Sequence, residues 1–570
     1  MRTSSRPPRP ARDPRPQGRT APAGPGPDPG SGPGPDGRTL DGSPLRPPLR
    51  DHRTRDHRTR GRGLRALGAL LTAAALLLTG CSAGGSAPGG AMVAPHAGST
   101  PEELTRYYTQ KLTWRDCEPT GFQCAKLRAP LDYRRPGSGE VELAVARKEA
   151  TGPGERIGSL LVNPGGPGGS AVGYLRSYAG VGYPDDVRAR YDMVAVDPRG
   201  VAGSEPVRCL DGKEMDTYTQ TDITPDDRGE QDRLVGAFRT FAKGCESRSA
   251  RVLPHVSTEE TARDMDILRA VLGDRKLTYV GASYGTFLGA TYAGLFPDRV
   301  GRLVLDGAMD PSLPARRMNE DQTAGFETAF TAFAKDCVRR TTCPLGREAA
   351  TAGAKLKAFL RALDREPVPT GKPGRRLGES LAMTGVIAAM YDEGAWPRLR
   401  SALTAGIDKR DGTGLLALSD GYYERGSDGE YGNLMFANAA VNCLDLPPAF
   451  TTPAEAAEAV PAFEKASPVF GEGLAWSALN CAYWPFGATG APQRIEAKGA
   501  DPILVVGTTR DPATPYRWAE ALAAQLDSGT LLTYEGDGHT AYGRGSTCVD
   551  STIDRYLLTG TPPADGKRCS

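Results

Sequence analysis

Eight residues, Tyr279-Val280-Gly281-Ala282-Ser283-Tyr284-Gly285-Thr286, constrain this chain more than any other stretch. Lys276 to Val280 carries strand formers up to the first glycine. Phe287 to Phe296 is small and apolar and stops at Pro297, which predicts a packed helix. Between them Gly281-Ala282-Ser283-Tyr284-Gly285 fits G-x-S-x-G, a sharp strand-to-helix turn with Ser at its apex. Such a turn needs neighbours without side chains, because the chain passes close by itself. The helix start behind it presents free N–H groups to any negative charge that develops beside Ser283.

Upstream of this turn, three segments look unlike a folded enzyme. Residues 1–62 are rich in Pro, Arg and Gly, and too poor in large apolar groups to offset the entropy of ordering. Residues 63–81 combine a basic flank, an apolar stretch too short for a comfortable span and small residues before Cys81, the pattern of an export signal. Leu78-Thr79-Gly80-Cys81 resembles a bacterial lipobox, which makes Cys81 the expected lipidation site and the membrane an expected partner. Residues 82–105 are the tether that would follow.

Export agrees with the cysteines. Of 11 Cys, ten remain once Cys81 is set aside, and no C-x-x-C pair is among them, so disulfides are expected and zinc or thioredoxin-like chemistry is not. Pairing neighbours in sequence is the simplest of many connectivities. The net charge of +2 includes the Arg-rich leader, so the mature body should be acidic, which argues against nucleic acid as a partner.

In the body, Val141–Ala146, Ser159–Val162, Asp192–Asp197, Gly301–Gly307, Ile503–Val506 and Leu531–Tyr534 read as strands. Ser257-Thr258-Glu259-Glu260 is a capping box for a helix running to Leu272, with Gly273 as its stop. Alternating strands and helices predict an α/β fold with a mostly parallel central sheet. The sheet is divided between 106–310 and 494–570. Residues 311–493, where Phe326, Phe330, Phe333 and Cys337 recur at helical spacing, form an inserted, mainly helical cap.

Asn163-Pro164-Gly165-Gly166-Pro167-Gly168-Gly169-Ser170 holds four Gly and two Pro and follows a strand directly. It lacks the Gly-Lys-Ser/Thr ending of a phosphate loop, so its expected role is to bring the backbone N–H of Gly166, with that of Tyr284, to an oxyanion. Asp197 and Arg199 are expected to brace their turn as an ion pair. The chain has five His, and only His255 and His539 lie in the body. His539 follows a strand among small residues, whereas His255 precedes a helix cap. His539 is therefore the expected base for Ser283. Asp511 also follows a strand and is the expected third member. Asp501 lies at the wrong end of its strand, and Asp537 is too near His539 in sequence.

Gly281–Thr286, Asn163–Gly169, Asp197-Pro198-Arg199-Gly200, Leu305-Asp306-Gly307 and Arg510-Asp511-Pro512 together look like the exported tripeptidyl-aminopeptidase branch of the prolyl-aminopeptidase-like serine peptidases, an α/β-hydrolase family. The resemblance covers residues 110–570. It implies a metal-free serine exopeptidase that cuts short peptides, often tripeptides, from free N-termini; no cofactor is expected, and the body is expected to be a monomer. Relatives that remove proline begin the glycine loop with His-Gly-Gly, whereas here it begins with Asn163-Pro164-Gly165. An exopeptidase needs an anchor for the substrate ammonium, and Glu205 and Asp445 are the carboxylates singled out, each with a structural role as the alternative. An esterase or lipase on the same Ser283, Asp511 and His539 needs no anchor. A binding protein that had lost catalysis would be expected to have lost one of the three. Epoxide hydrolases and dehalogenases carry Asp where this chain has Ser283.

Overall fold

The computed structural model describes residues 91–92 and 102–570. The leader, the signal segment with Cys81 and most of the tether lie outside the described residues. Ten strands form one sheet: β1 Arg115–Cys117, β2 Phe122–Pro130, β3 Glu140–Lys148, β4 Gly158–Asn163, β5 Tyr191–Val196, β6 Leu277–Ala282, β7 Val300–Asp306, β8 Ile503–Arg510, β9 Gly529–Asp537 and β10 Lys567–Cys569. Their order is β10-β9-β8-β7-β6-β4-β5-β3-β2-β1. From β10 to β5 every neighbouring pair is parallel, while β3, β2 and β1 extend the edge antiparallel. All residues of β4 and β5 are buried. That is why these strands read as unbroken apolar runs: a parallel sheet is covered on both faces. Alternate residues feed opposite cores. Leu161, Tyr279, Ile503 and Val505 pack on one face, and Leu160, Val162, Val280, Leu504 and Val506 on the other.

The main helices are α1 Arg228–Ser249, α2 Thr258–Val271, α3 Tyr284–Leu295, α4 Ala315–Val338, α5 Ala349–Arg365, α6 Glu379–Met390, α7 Trp396–Lys409, α8 Thr413–Tyr422, α9 Leu434–Asp445, α10 Pro453–Ala466, α11 Gly471–Ser477, α12 Tyr516–Gln525 and α13 Thr547–Thr559. Helices α4 to α8 share a core of their own, in which Phe326, Phe330 and Phe333 meet Leu356, Leu360, Leu381, Leu403 and Leu415. A second helical core joins Phe450 and Phe463 to Leu234, Val235 and Phe238 of α1. The helical layer therefore draws on α1, from before Ser283, as well as on 311–493. In α1, Asp227 caps the backbone N–H of Glu230, and buried residues recur at 234, 235, 238, 241, 242 and 245, a helical stripe.

Five disulfides join Cys117–Cys124, Cys209–Cys245, Cys337–Cys343, Cys443–Cys481 and Cys548–Cys569, the nearest-neighbour pairing throughout. Such a set marks a body that folds outside the reducing cytoplasm. The fifth ties β10 to the first turn of the helix at 547–559, and β10 pairs in parallel with β9, a strand beyond Leu531–Tyr534 that the apolar pattern does not reveal. No helix among the described residues is long and apolar enough to cross a membrane.

The expected Asp197–Arg199 pair does not form. Asp197 accepts from Ser170 Oγ and Val172 N and from Gly203 N. Arg199 turns to α2, where Nε and Nη2 reach the two oxygens of Asp264 at 2.8 and 2.7 Å and Nη1 reaches Glu260 at 3.0 Å. It also donates to the carbonyls of Pro130, Leu131 and His255. Ala171 and Val172 belong to one face of the sheet, and Met265 and Leu268 of α2 to the other. Two positions apart in sequence, Asp197 and Arg199 serve opposite faces. Ser257 caps α2 as expected, but Glu260 is drawn to Arg199.

Candidate active site

Ser283 lies between β6 and α3 with φ 57° and ψ −124°, a backbone that non-glycine residues rarely adopt. The turn is held by Ser283 N–H to Asp306 O at 2.9 Å and by Thr286 N–H and Oγ1–H to Ser283 O at 2.8 and 2.6 Å. The glycines are needed for space. A Cβ on Gly281 would lie 2.4 Å from Gly285 O, and one on Gly285 2.9 Å from Asn163 O. A Cβ on Gly165, at φ 90°, would lie 2.4 Å from Ala282 O and 2.9 Å from both Ser283 Cβ and Tyr284 N. The glycine loop thus lies directly against the Ser283 turn and the first N–H of α3.

Asp511 and His539 follow β8 and β9. Parallel strands bring the ends of β6, β7, β8 and β9 to one edge of the sheet, where Ala282 and Val506 both flank Asp306. His539 Nδ1 is 2.9 Å from each oxygen of Asp511. Asp511 is 2% exposed and accepts from the backbone N–H of Ala513, Thr514 and Thr540. A carboxylate so supplied with donors remains an acceptor and fixes the Nδ1–H tautomer. His539 Nε2 is buried and has no hydrogen-bond partner among the described residues. It lines the same cavity as Ser283.

Two features hold the His539 loop. Asp306, ending β7, accepts from the N–H of Ala541 and Tyr542 at 2.9–3.0 Å. From the other side, His539 N–H donates to Tyr391 O at 2.8 Å, and the Tyr391 ring meets the imidazole edge to face at 5.5 Å. Arg544 then joins His539 O and Tyr391 O to Glu393. Sequence reasoning assigned no role to Asp306, Tyr391 or Arg544. Asp306 was detectable as an acid closing a buried strand beside the Ser283 strand. Tyr391 belongs to the helical insertion, and no local pattern places it.

The cavity is about 490 Å³ and lies between the glycine loop, α4, α9 and the turn after β8. Among the described residues no Asp, Glu, Lys or Arg lines it; its polar wall is made largely of the amides Asn319, Gln322, Asn438, Asn442 and Asn480. Gly166 is on its wall, and the Tyr284 side chain is buried beneath the turn. Neither carboxylate singled out as an anchor is on the wall. Glu205 accepts from Glu142 N and pairs with Arg251. Asp445 spends both oxygens on Thr258, at 2.8 Å to N–H and 2.5 Å to Oγ1–H. Thr258 Oγ1 also bonds Tyr284 OH, so Asp445 supports the residue after Ser283 from below. Asp537 is engaged by Arg510, Asp501 by Lys276, and His255 lies near Glu260 in a separate groove.

A family model described as alpha/beta hydrolase fold matches residues 158–406, and one described as TAP-like protein matches 467–569. Serine protease Hip1 of Mycobacterium tuberculosis is 37% identical over 482 residues, covering 81% of this chain and 91% of that protein. The chain belongs to the TAP-like α/β-hydrolases. Within that family it is also 38% identical over 497 residues to carboxylesterase B of M. tuberculosis, with 84% and 94% covered. Tripeptidyl aminopeptidase of Streptomyces lividans is 34% identical over 482 residues, with 80% and 86% covered.

Three buried carboxyls set a pH dependence. Burial pushes Asp306 up to about 6 and Asp445 up to about 7. Burial, reinforced by Asp222 and Asp364, pushes Glu379 up to about 7. Each holds a proton in the folded state that the unfolded chain releases at lower pH. Their stabilisation is complete below the ordinary carboxyl range and is lost as pH rises through 6 to 7. Thermal unfolding from pH 5 to 8 should show it. Asp445→Asn is expected to flatten the decline, and an unchanged slope would refute the assignment.

Proposed function

We propose that this chain is a serine aminopeptidase that releases short peptides, tripeptides foremost, from free N-termini through an acyl-enzyme. The observation that carries this is the Asp511–His539 pair, whose unpartnered Nε2 shares a cavity with a Ser on a strained turn. In this mechanism Ser283 Oγ attacks the scissile carbonyl as His539 Nε2 takes its proton. The oxyanion is received by the backbone N–H groups of Tyr284 and Gly166. Losing one such donor typically costs about 10²–10³ in rate. His539 then protonates the departing amine, and water, activated by the same nitrogen, releases the peptide from Ser283. Asp511 orients the imidazole and stabilises its charged form. The relatives named as serine protease and tripeptidyl aminopeptidase support the peptidase class. The wall without charges and the relative named carboxylesterase B favour, as a second reading, an esterase on the same three residues. Cys81 carries a lipid anchor in this proposal, the body acts as a monomer outside the cytoplasm, and neither metal nor cofactor takes part.

Chromogenic amides of one, two and three residues, each free and N-acetylated, test the choice with the 82–570 body. Fast cleavage of the free tripeptide, lost on acetylation, is the expected result. Indifference to acetylation with faster cleavage of simple esters would leave an esterase.

A further inference from the structure

An aminopeptidase must find the substrate ammonium, and among the described residues this cavity offers it no carboxylate. We propose that α9 measures the peptide, and that the side-chain oxygen of Asn442 receives the free N-terminus of a tripeptide whose scissile carbonyl lies at Gly166. This rests on the aminopeptidase reading above.

The start of α9 lies on the glycine loop. A Cβ on Gly166 would be 3.4 Å from Leu434 Cδ1, and one on Gly168 2.5 Å from Leu434 O and 3.1 Å from Asn438 N. Asn438, one turn on, donates Nδ2–H to Pro167 O at 3.2 Å. Asn442, another turn on, donates Nδ2–H to Asn438 Oδ1 at 3.1 Å. The chain of bonds fixes both amides. The Pro167 carbonyl accepts only, so Asn438 must face it with nitrogen and Asn442 with oxygen. Asn442 must then present its own nitrogen, which leaves its Oδ1 with no donor among the described residues. Leu434, Asn438 and Asn442 all line the cavity, and Asn442 is exposed at its mouth.

The lengths agree. Eight residues of helix from Leu434 to Asn442 rise about 12 Å. An extended tripeptide acyl group spans about 10 Å from scissile carbonyl to terminal nitrogen, and a dipeptide only about 6 Å. The third residue therefore brings the ammonium to Asn442, and the second leaves it at Asn438, whose oxygen is already taken. Asn319 and Gln322 on α4 face the same space and donate their own NH₂ groups to Ala315 O and Ala513 O. The whole wall is thus suited to neutral backbone and one cation, with selectivity coming from length more than from charge attraction.

The test compares Asn442→Leu and Asn442→Asp with the parent protein, on free and acetylated amides of one to three residues. A p-nitrophenyl ester serves to titrate active enzyme. Among the described residues the Asn442 side chain bonds only Asn438, its neighbour on α9, and it is exposed, so both variants should fold. The expected result for Asn442→Leu is a rise of about tenfold in the KM of the free tripeptide relative to its acetylated twin, with no such change for the dipeptide. Asn442→Asp should lower the free-tripeptide KM and deepen the penalty for acetylation. If the free-to-acetylated ratio stays put in both variants, or if Leu raises both KM values alike, the ruler is wrong while the aminopeptidase stands. If the parent protein cuts the ester and no free peptide of any length, the aminopeptidase reading falls and the ruler with it.

Discussion

Replacing Ser283 with Ala is expected to lower kcat by about five to six orders of magnitude without loosening the fold. Ser283 supplies the hydroxyl at the apex of the turn, and among the described residues its side chain donates or accepts no structural hydrogen bond; the turn is held by backbone groups and Thr286. Ala at φ 57° carries the same strain as Ser, so thermal unfolding should hardly move, whereas Ser283→Gly, free of that strain, should unfold slightly later. His539→Ala should fall to a similar floor, and the double variant should be no worse than either single one, because nucleophile and base act together. Active-site titration with an acylating ester reads this directly. A Ser283→Ala protein that still formed an acyl-enzyme would remove Ser283 from the mechanism.

Arg199→Leu is expected to destabilise the body by about 3–5 kcal/mol. The guanidinium is fully buried and binds two carboxylates and three backbone carbonyls at once. Removing it leaves Asp264, itself 2% exposed, as an uncompensated charge under the sheet. Lys should not rescue it, since one ammonium cannot reproduce the fork that spans both Asp264 oxygens. Arg199→Leu combined with Asp264→Leu should recover much of the loss, because the stranded charge goes with its partner. Urea unfolding of the three variants decides the matter. An Arg199→Leu loss below about 1 kcal/mol, the size of an ordinary surface change, would contradict the assigned role.

Arg199 also shows where sequence alone stops. The turn at Ser283, the strands that carry Asp511 and His539, and the parallel sheet were legible because each depends on neighbours in the chain: a buried run, then glycines, then a polar residue at a strand end. The choice between Asp197 and Asp264 as partner for Arg199 is not local. It is settled by which face of the sheet each side chain enters, and α2 is more than fifty residues further along. Glu205 and Asp445, singled out as anchors, do not reach the cavity wall for a related reason. Their charge is visible in the sequence, but the rotation of α9 that turns Asp445 down to Thr258 and Asn442 out to the cavity comes from packing. The long helix α1 had a readable cap at Asp227 and a clear apolar stripe; what its sequence does not disclose is that the stripe completes a core built from residues two hundred positions away.

The contact between Tyr391 and the His539 loop makes an interlock. The carbonyl that closes α6 accepts the His539 N–H, and Arg544 joins the same two carbonyls. Any movement that carries Tyr391 away from the sheet also withdraws support from the base. Lifting the helical layer would cost the His539 loop both its Tyr391 carbonyl partner and the ring packed against it.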